Sequence, residues 1–382
     1  MIDPTTAILL ASRPLLSHES VPPMPRYPSS IAVPILASLS CLCCIPPLLI
    51  HARARNFATT VLVLGIIIPN LFNLVNSLLW PTDDTGAWWN GVGLCDVETK
   101  LYIGFATATV GAVACIFRQL AIILNTDETT LAPSRAQRRR RLALEIVLCI
   151  VVPVYLMLAH YLVQPARYYI FTITGCVPSF DKSWQSVVLV FMWPIVICSI
   201  AVTYSIVSIW RLIKYRREFS RILSSSQSTV SRSRFVRLFA LATTLVIVFA
   251  PVAMYTFVQN ASFHHSRYSW ARIHGPGWSD KVILVPTYGA VSFDRWVQIG
   301  SGFVLFLFQG FGRDASAMYR GWLLRLGLAR VFPSLQDPRI TRDTGRRSSG
   351  RSPLVGKIES QSPQTTFDLS RIGGLNGGVS RQ

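Results

Sequence analysis

The stretch Leu71–Lys100 reads LFNLVNSLLWPTDDTGAWWNGVGLCDVETK, and the rest of the chain can be interpreted outward from it. It closes an apolar helix that carries Asn73 and Asn76, crosses a short polar loop rich in Trp, and reaches Cys95 and Asp96 where the next apolar helix starts. Amides in an apolar helix are costly unless they have partners. Because the two asparagines lie three residues apart on one helical face, the pattern predicts that they form hydrogen bonds between helices.

The composition of the chain is that of a membrane protein. Of its 382 residues 51% are hydrophobic and only 14% are charged, and the mean hydropathy is +0.41. A helix needs about 20 apolar residues to cross a bilayer. Seven runs approach or exceed that length, near residues 30–50, 58–80, 101–124, 142–163, 184–213, 235–259 and 296–311, the last extended back to Ser292. We therefore predict an all-α membrane protein, a seven-transmembrane helix bundle, rather than buried core helices of a soluble protein.

The Lys and Arg residues between these runs predict the orientation of the bundle. The segments 51–57, 125–141, 211–237 and 312–382 carry 27 of them, whereas 1–29, 81–100, 164–183 and 260–295 carry 9. Because the basic side of a membrane protein faces the cytoplasm, the N-terminus is predicted outside and the C-terminus cytoplasmic. The pI of 10.2 results from these basic residues. We expect them to attract anionic membrane lipids and acidic partner surfaces, not nucleic acid.

The cysteines agree with this topology. Six of the eight fall within predicted helices, where a cysteine packs as a small apolar residue. Only Cys95 and Cys176 fall on the predicted outer side, where the environment is oxidising. Two outer cysteines allow one intramolecular pair, so we predict a disulfide from the top of helix three to the loop after helix four. The alternative is a pair of free thiols.

The chain divides into four predicted segments. Residues 1–29 form an extracellular N-terminal segment, residues 30–311 the bundle, residues 312–333 an amphipathic helix along the inner leaflet, and residues 334–382 a disordered cytoplasmic tail. The amphipathic helix is indicated by apolar residues at helical spacing with arginines along the other edge.

One charge within an apolar run stands out. Arg118 lies less than two turns from the cytoplasmic end of helix three, where it either extends to the interface or serves a function. Glu145, one turn into helix four from the same side, is a candidate partner. Proline residues in several runs, including Pro251 in helix six, predict either bends that take part in a change of shape or static kinks.

No pattern in the sequence indicates an enzyme, a cofactor or a metal site. The nucleophile-elbow, zinc-protease and phosphate-loop motifs are absent from the sequence. His264, His265 and His274 share an outer loop, but without a nearby cysteine they are interpreted as solvated residues. A retinal protein would need a lysine in the last helix, which has none between Ser292 and Phe311. A transporter of small solutes remains the alternative to a receptor, although no internal repeat is evident.

The sequence resembles the fungal mating-pheromone receptors of the a-factor type. The loop before helix seven resembles the basidiomycete branch more than the yeast branch in its length and sequence. The residues that carry this resemblance extend over about residues 30–320: Asn73, Asn76, Ser77, Trp80, Cys95, Asp96, Lys100, Gly104, Cys115, Arg118, Leu120, the block 161–168 (YLVQPARY), Gly175, Cys176, Phe293, Asp294, Arg295, Trp296, Phe311, Gly312 and Asp314.

The resemblance implies a G-protein-coupled receptor for a farnesylated peptide pheromone, which activates a heterotrimeric G protein from the plasma membrane. On this interpretation Arg118 and the loop 214–237, with Lys214, Arg216 and Arg217, contact the G protein, and helix six bends at Pro251. No acidic residue precedes Arg118, and helix seven lacks an NPxxY-like sequence, so the switch must differ from that of the largest receptor class. Whether the receptor forms homo-oligomers stays open.

Candidate ligand contacts are the aromatic and polar residues of the outer loops. Trp80, Trp88 and Trp89 offer apolar area to a farnesyl chain, or they form the ordinary interfacial belt of aromatic residues. Gln164 and Arg167 either order the outer loop or contact the peptide, and the adjacent Tyr168 belongs to the same candidate site.

Overall fold

A computed structural model describes residues 26–124, 134–214, 232–262 and 266–325 of the chain. The chain forms two units, Met1–Trp322 and Leu323–Gln382. The second contributes only residues 323–325 to the described part, at the end of the last helix. The predicted segments 1–25 and 334–382, and residues 326–333 of the predicted amphipathic helix, lie outside the described residues.

Among the described residues, six helices are long and apolar enough to cross a membrane, and they correspond to the first six of the seven predicted spans. They are α1 (Pro28–Arg53), α2 (Phe57–Leu79), α3 (Leu94–Ile123), α4 (Arg135–Leu162), α5 (Trp184–Lys214) and α6 (Arg232–Ala261). The seventh predicted span is the 17-residue helix α7 (Phe293–Gln309), and α8 (Arg313–Arg325) follows it. The two ends of the bundle are called below the sheet end, which carries the strands, and the basic end, where α1 ends and α4 begins.

Helix α3 lies at the centre of the bundle. Of its most apolar window 72% is buried, against 28–50% for the other five spans. Close helix contacts depend on glycine: a Cβ on Gly65 of α2 would lie 2.1 Å from Oγ1 of Thr109, and one on Gly111 of α3 would lie 2.3 Å from the carbonyl oxygen of Leu148. Small residues at such positions let helix backbones approach, which compensates for the weak hydrophobic effect within a membrane.

Two of the predicted proline sites change the type of helix. The π-helical turns Val147–Val151 in α4 and Val187–Phe191 in α5 immediately precede the turns that contain Pro153 and Pro194. Proline has no N–H to donate to the carbonyl four residues earlier, and a π turn accommodates the freed carbonyl. Pro251 instead lies within the continuous helix α6.

A three-stranded sheet lies over one end of the bundle, so the all-α prediction was incomplete. Strands β1 (Tyr168–Phe171) and β2 (Gly175–Val177) pair antiparallel, and β3 (Val282–Val285) pairs with β1 in parallel. The short aromatic and β-branched runs of β1 and β3 are typical strand sequences. The sheet joins the loop after α4 to the loop before α7, two segments that are more than 100 residues apart in sequence.

Helix α3 begins seven residues before the predicted start at residue 101. Gly93 adopts a φ of +86°, and its N–H donates to the carboxylate of Asp96 at 2.9 Å, which caps the helix. The early start places Cys95, Asp96, Glu98 and Lys100 on the helix itself instead of in a loop. Charges that the sequence assigned to the exterior therefore enter the bundle.

Glu145, the candidate partner of Arg118, pairs with other residues. Glu145 accepts hydrogen bonds from Nε2 of Gln119 at 2.7 Å and from Nε of Arg141 at 2.9 Å. One residue corresponds to a rotation of about 100° around a helix, so the neighbour of Arg118 faces α4. Arg118 is half-buried and forms no ion pair with any residue that the structure describes.

Candidate functional site

The disulfide joins the sheet to the central helix. Cys95 and Cys176 are bonded, with their Cα atoms 5.3 Å apart, as the sequence predicts. Both are fully buried in an apolar cluster with Trp80, Tyr168 and Ile170. The bond therefore anchors strand β2 to the first turn of α3 at the sheet end. The other six cysteines are free thiols within helices.

The three candidate tryptophans occupy different environments. Trp80 is fully buried, and its indole N–H donates to the backbone carbonyl of Trp89 at 3.0 Å. The rings of Trp80 and Trp89 are parallel within 4°, with centroids 6.3 Å apart, and Trp89 is 49% exposed. Trp88 is half-buried and donates to the carbonyl of Thr82 at 2.9 Å. Trp89 therefore presents an open aromatic face, while Trp80 supports it from below.

Arg167 is bound to the bundle by an ion pair. Its Nε and Nη2 atoms donate to the two carboxylate oxygens of Asp96, each at 2.6 Å. A third bond from Nη1 reaches the carbonyl of Ser279 at 3.1 Å. The hydrogen bond with Asp96 raises the pKa of Arg167 above its ordinary value. Bidentate pairs of this kind are strong and directional, so Arg167 orders the loops of the sheet end against α3.

Gln164 belongs to a polar cluster that the sequence did not reveal. Nζ of Lys100 donates to Oε1 of Gln164 at 2.7 Å and lies 2.7 Å from Nδ1 of His160. Nε2 of the fully buried His160 lies 2.8 Å from the carbonyl of Ser179. A carbonyl only accepts, so Nε2 carries a proton, and a neutral ring then accepts the lysine proton at Nδ1. Lys100 is among the residues that carry the family resemblance, but nothing local in the sequence indicated His160.

Tyr168 is a structural member of the sheet. Its side chain is fully buried, and its hydroxyl group donates to the carbonyl of Asn90 at 3.0 Å. The guanidinium of Arg167 lies 5.8 Å from its ring centroid. Burial raises the pKa of Tyr168 above its ordinary value. The hydroxyl therefore holds the Trp-rich loop to β1.

Asp83 is a second unpredicted centre of hydrogen bonds. The carboxylate accepts from the Tyr27 hydroxyl at 2.5 Å, from the Thr172 hydroxyl, and from the Thr287 backbone N–H at 3.0 Å. The bond to Asp83 raises the pKa of Tyr27 to about 12. This one buried side chain joins the residues before α1, the loop after α2, the sheet and the loop before α7.

His274 is packed among aromatic rings, which corrects its interpretation as a solvated residue. Its ring stacks on Trp270 with centroids 3.9 Å apart and lies 4.8 Å from Tyr161 and 5.0 Å from Trp278. Burial lowers the pKa of His274 below its ordinary value. His264 and His265 lie outside the described residues. Among the described residues no group of three or more potential metal ligands occurs.

The two asparagines of α2 form hydrogen bonds between helices. Nδ2 of Asn73 donates to Oε1 of Gln298 on α7 at 3.1 Å, and Nδ2 of Asn76 donates to Oε1 of Glu98 on α3 at 2.6 Å. Arg295 of α7 donates to Oδ1 of Asn73 at 3.3 Å. Beneath the sheet, α2, α3 and α7 are therefore joined by buried polar side chains.

Of the predicted G-protein contacts, Arg118 and Lys214 lie toward the basic end. There the start of α6 packs against α3, with the Phe117 and Phe239 rings edge to face and their centroids 6.1 Å apart. Lys214 ends α5 with its Nζ 4.8 Å from the centroid of the Trp210 ring. Pro251 lies further along α6 and is exposed. Arg216 and Arg217 lie outside the described residues.

Among the described residues, six membrane-competent helices, five of them around the buried central helix α3, carry a disulfide-linked sheet over one end, and together they define a multi-pass membrane protein with a capped polar site. Residues 32–327 match the family model STE3, described as pheromone A receptor. The match covers most of the chain, and the chain therefore belongs to this family.

Named relatives agree with this assignment. The chain is 27% identical over 298 residues to the pheromone a factor receptor of Saccharomyces cerevisiae, which covers 78% of this chain and 62% of that protein. It is 28% identical over 344 residues to the pheromone B alpha 2 receptor of Schizophyllum commune, covering 85% and 51%, respectively. With pheromone receptor 1 of Ustilago hordei it shares 27% identity over 321 residues, covering 80% and 86%. The chain thus spans about half to three-fifths of the length of the first two relatives.

Proposed function

We propose that this chain is a G-protein-coupled receptor of the plasma membrane that binds a farnesylated peptide pheromone and activates a heterotrimeric G protein. The observation that carries this proposal is the family match over residues 32–327, together with relatives that are named pheromone receptors. A farnesyl group and a G protein are what the sequence resemblance implies for such a receptor.

The proposed topology has seven spans, with the sheet end outside. A disulfide persists in an oxidising compartment, which supports placing Cys95 and Cys176 on the extracellular side. The excess of Lys and Arg falls in the segments that the sequence predicts to be cytoplasmic, which supports placing the basic end inside. Helix α7 has 17 residues and a length of about 26 Å, close to the thickness of the hydrocarbon core, so it completes the seven spans.

For the ligand, we infer that the exposed face of Trp89 receives the farnesyl chain, with Trp88 beside it. Trp80 and Tyr168 then position this surface from below, because both are fully buried. Arg167 and Gln164 act as ordering residues, since Asp96 occupies the guanidinium and Lys100 binds the amide. The peptide would contact the sheet end around these residues.

For the G protein, we infer that the basic end opens when α6 moves away from α3. In the structure that end is closed by the contact between Phe117 and Phe239. Arg118 is half-buried close to this contact, without an ion pair among the described residues, and is free to meet a partner once α6 has moved. Lys214, Arg216 and Arg217 would add basic charge to the same face, and Pro251 would permit α6 to bend.

The test is G-protein activation in a heterologous fungal cell exposed to a panel of farnesylated peptides and their unlipidated counterparts. A dose-dependent response to a lipopeptide, absent without the farnesyl group, is expected. The Trp89→Ala variant should weaken that response, whereas Trp184→Ala, which removes a tryptophan that is 57% exposed on α5, should not. Uptake of a small solute, with no response to any peptide at normal surface expression, would favour a transporter instead.

The role of Arg118 is tested separately. Arg118→Ala should abolish G-protein activation and leave surface expression and pheromone binding unchanged, because the side chain holds no ion pair in the described resting bundle. Arg138→Ala, which removes an exposed arginine from the same basic end, is the matched control and should signal normally. Full signalling by Arg118→Ala would refute this part of the proposal.

A further inference from the structure

Two ionisable side chains of opposite sign lie fully buried beneath the sheet, one on α3 and one on α7. Glu98 of α3 and Arg295 of α7 are each only 1% exposed. Removing an ion from water costs several kcal/mol, so each charge needs a partner. The two residues differ in how many partners they have among the described residues: Arg295 has several, whereas Glu98 has one.

Arg295 is part of a closed ring of polar contacts. Its Nη1 donates to Asn73, whose amide donates to Gln298 at 3.1 Å, and Gln298 donates to the Tyr102 hydroxyl at 2.9 Å. The Tyr102 hydroxyl donates to the carboxylate of Asp294, which lies 3.8 Å from Nε of Arg295 and completes the ring. The guanidinium also lies over the Tyr102 ring, 4.4 Å from its centroid. Asp294 is the acidic partner of Arg295 in this arrangement.

Glu98 lies outside this ring and has no cation within 4.0 Å among the described residues. Its Oε1 accepts from Asn76, and its Oε2, although buried, has no hydrogen-bond partner. Nε of Arg295 likewise forms no hydrogen bond. Arg295 interacts with Glu98 electrostatically, but the two side chains do not form a direct ion pair. Two carboxylates, Glu98 and Asp294, therefore compete for one guanidinium.

The sheet restrains Arg295 in its present position. Nη2 of Arg295 donates to the carbonyl of Cys176 at 3.0 Å, and Nδ2 of Asn76 donates to the carbonyl of Thr174 at 3.2 Å. Both carbonyls belong to the β2 region, which the disulfide ties to α3. Because the disulfide holds β2 to α3, a shift of β2 and α3 together against α7 would release Arg295 from the Cys176 carbonyl and free it to approach Glu98.

We propose that Arg295 is a two-position residue that couples the sheet to the bundle: it pairs with Asp294 at rest and with Glu98 once β2 and α3 have shifted together against α7. The inference rests on the proposed receptor function, because the ligand is what drives that shift. Pairing with Glu98 satisfies the orphaned Oε2 and Nε atoms and draws α7 toward α3. A two-state element of this kind is what long-range coupling requires. Since the basic end is closed here, the pair with Asp294 belongs to the resting state.

The first test needs neither pheromone nor G protein. Purified full-length receptor in detergent is melted as wild type, Glu98→Gln, Asp294→Asn and the double variant. Glu98→Gln should leave the melting temperature unchanged or raise it, because the carboxylate has no cation partner at rest. In the Asp294→Asn background, where Arg295 turns to Glu98, the same change should lower the melting temperature by several degrees. An equal effect in both backgrounds would overturn the proposal.

The second test measures signalling. Asp294→Asn should raise G-protein activation in the absence of pheromone, whereas Glu98→Gln should raise the pheromone concentration needed for half-maximal response about tenfold, within the range of typical coupling between sites. Thr107→Val and Ser301→Ala remove buried hydroxyl groups that bond only within their own helices, and they should behave as wild type.

The two failures are distinguishable. The sign reversal in melting temperature without any response to farnesylated peptides would refute the proposed function and leave the Arg295 switch standing. A normal pheromone response with additive melting shifts would refute the switch alone. If Glu98→Gln and Asp294→Asn both increased G-protein activation, or both decreased it, the switch would also be refuted.

Discussion

Loss of the disulfide between Cys95 and Cys176 should destabilise the protein by several kcal/mol. The two cysteines are 81 residues apart in sequence. If the whole intervening chain were free in the unfolded state, closing the loop would contribute about 4.5 kcal/mol. Membrane helices stay formed after tertiary unfolding, and roughly 25 of the residues lie outside α3 and α4, which lowers the contribution to about 3.5 kcal/mol. The dependence on length is logarithmic, so the expected loss stays near 3–5 kcal/mol.

The loss is measured by unfolding the Cys95→Ala/Cys176→Ala variant with SDS in mixed micelles, beside wild type with and without a reducing agent. We expect the unfolding equilibrium constant to rise several hundred-fold on mutation, since 1.4 kcal/mol corresponds to a factor of about ten. Reduction of the wild type should reproduce most of that change. Cys43→Ala, which removes a free thiol from α1, is the control and should retain full sensitivity to reduction.

Two results would refute this reasoning. A reduced wild type as stable as the oxidised one would show that the sheet is held by its buried apolar cluster without help from the disulfide. Sensitivity to reduction in the double variant would show that another cysteine is responsible.

Three further predictions concern packing, charge and pH. Gly111→Ala should cost about 1–3 kcal/mol, because its Cβ would overlap a carbonyl of α4, whereas Gly300→Ala, with open space around it, should be neutral or stabilising in the same unfolding assay. Arg167→Met should cost about 1 kcal/mol and loosen the sheet end, seen as faster proteolysis of the loops there. Arg272→Met should cost no more than about 0.5 kcal/mol, because Arg272 is more exposed than Arg167 and its contact with Asp181 is longer, 3.1 Å against 2.6 Å. Burial lowers the pKa of His274, so the unfolded state binds its proton first, and stability should fall as the pH drops below about 6.5. His274→Phe should reduce that loss between pH 7 and 5.5, and an unchanged pH profile would contradict the assignment.

Local sequence was sufficient for the membrane helices and for the disulfide. Hydropathy is a property of each run by itself, so six spans were predicted with ends within a few residues of the structure, apart from the early starts of α3 and α4. The disulfide followed from topology, because only two cysteines fell on one side of the membrane. Asn73 and Asn76 were predicted as interhelical residues because an amide in an apolar helix must find a partner.

The environments of the candidate site residues could not be predicted in this way. Trp80 and Trp89 look equivalent in the sequence, yet one is fully buried and the other about half exposed. That difference arises because the sheet covers Trp80, and the sheet pairs strands from loops that are distant in sequence. His160 and Asp83 were missed for the same reason, since their partners come from other loops.

The sequence by itself determined that the chain is a multi-pass membrane protein of the pheromone receptor family. The length of the apolar runs, the distribution of basic residues and the family motifs can all be read along the chain without knowing which residues meet in space. Only the tertiary structure decided which polar groups meet. Glu145 bonds to Gln119 and not to Arg118, and Arg295 lies with Asp294 under a sheet strand instead of with Glu98. The physical reason is that the rotation of each helix about its own axis is set by close packing against its neighbours. A shift of one residue turns a side chain by about 100° and changes its partner.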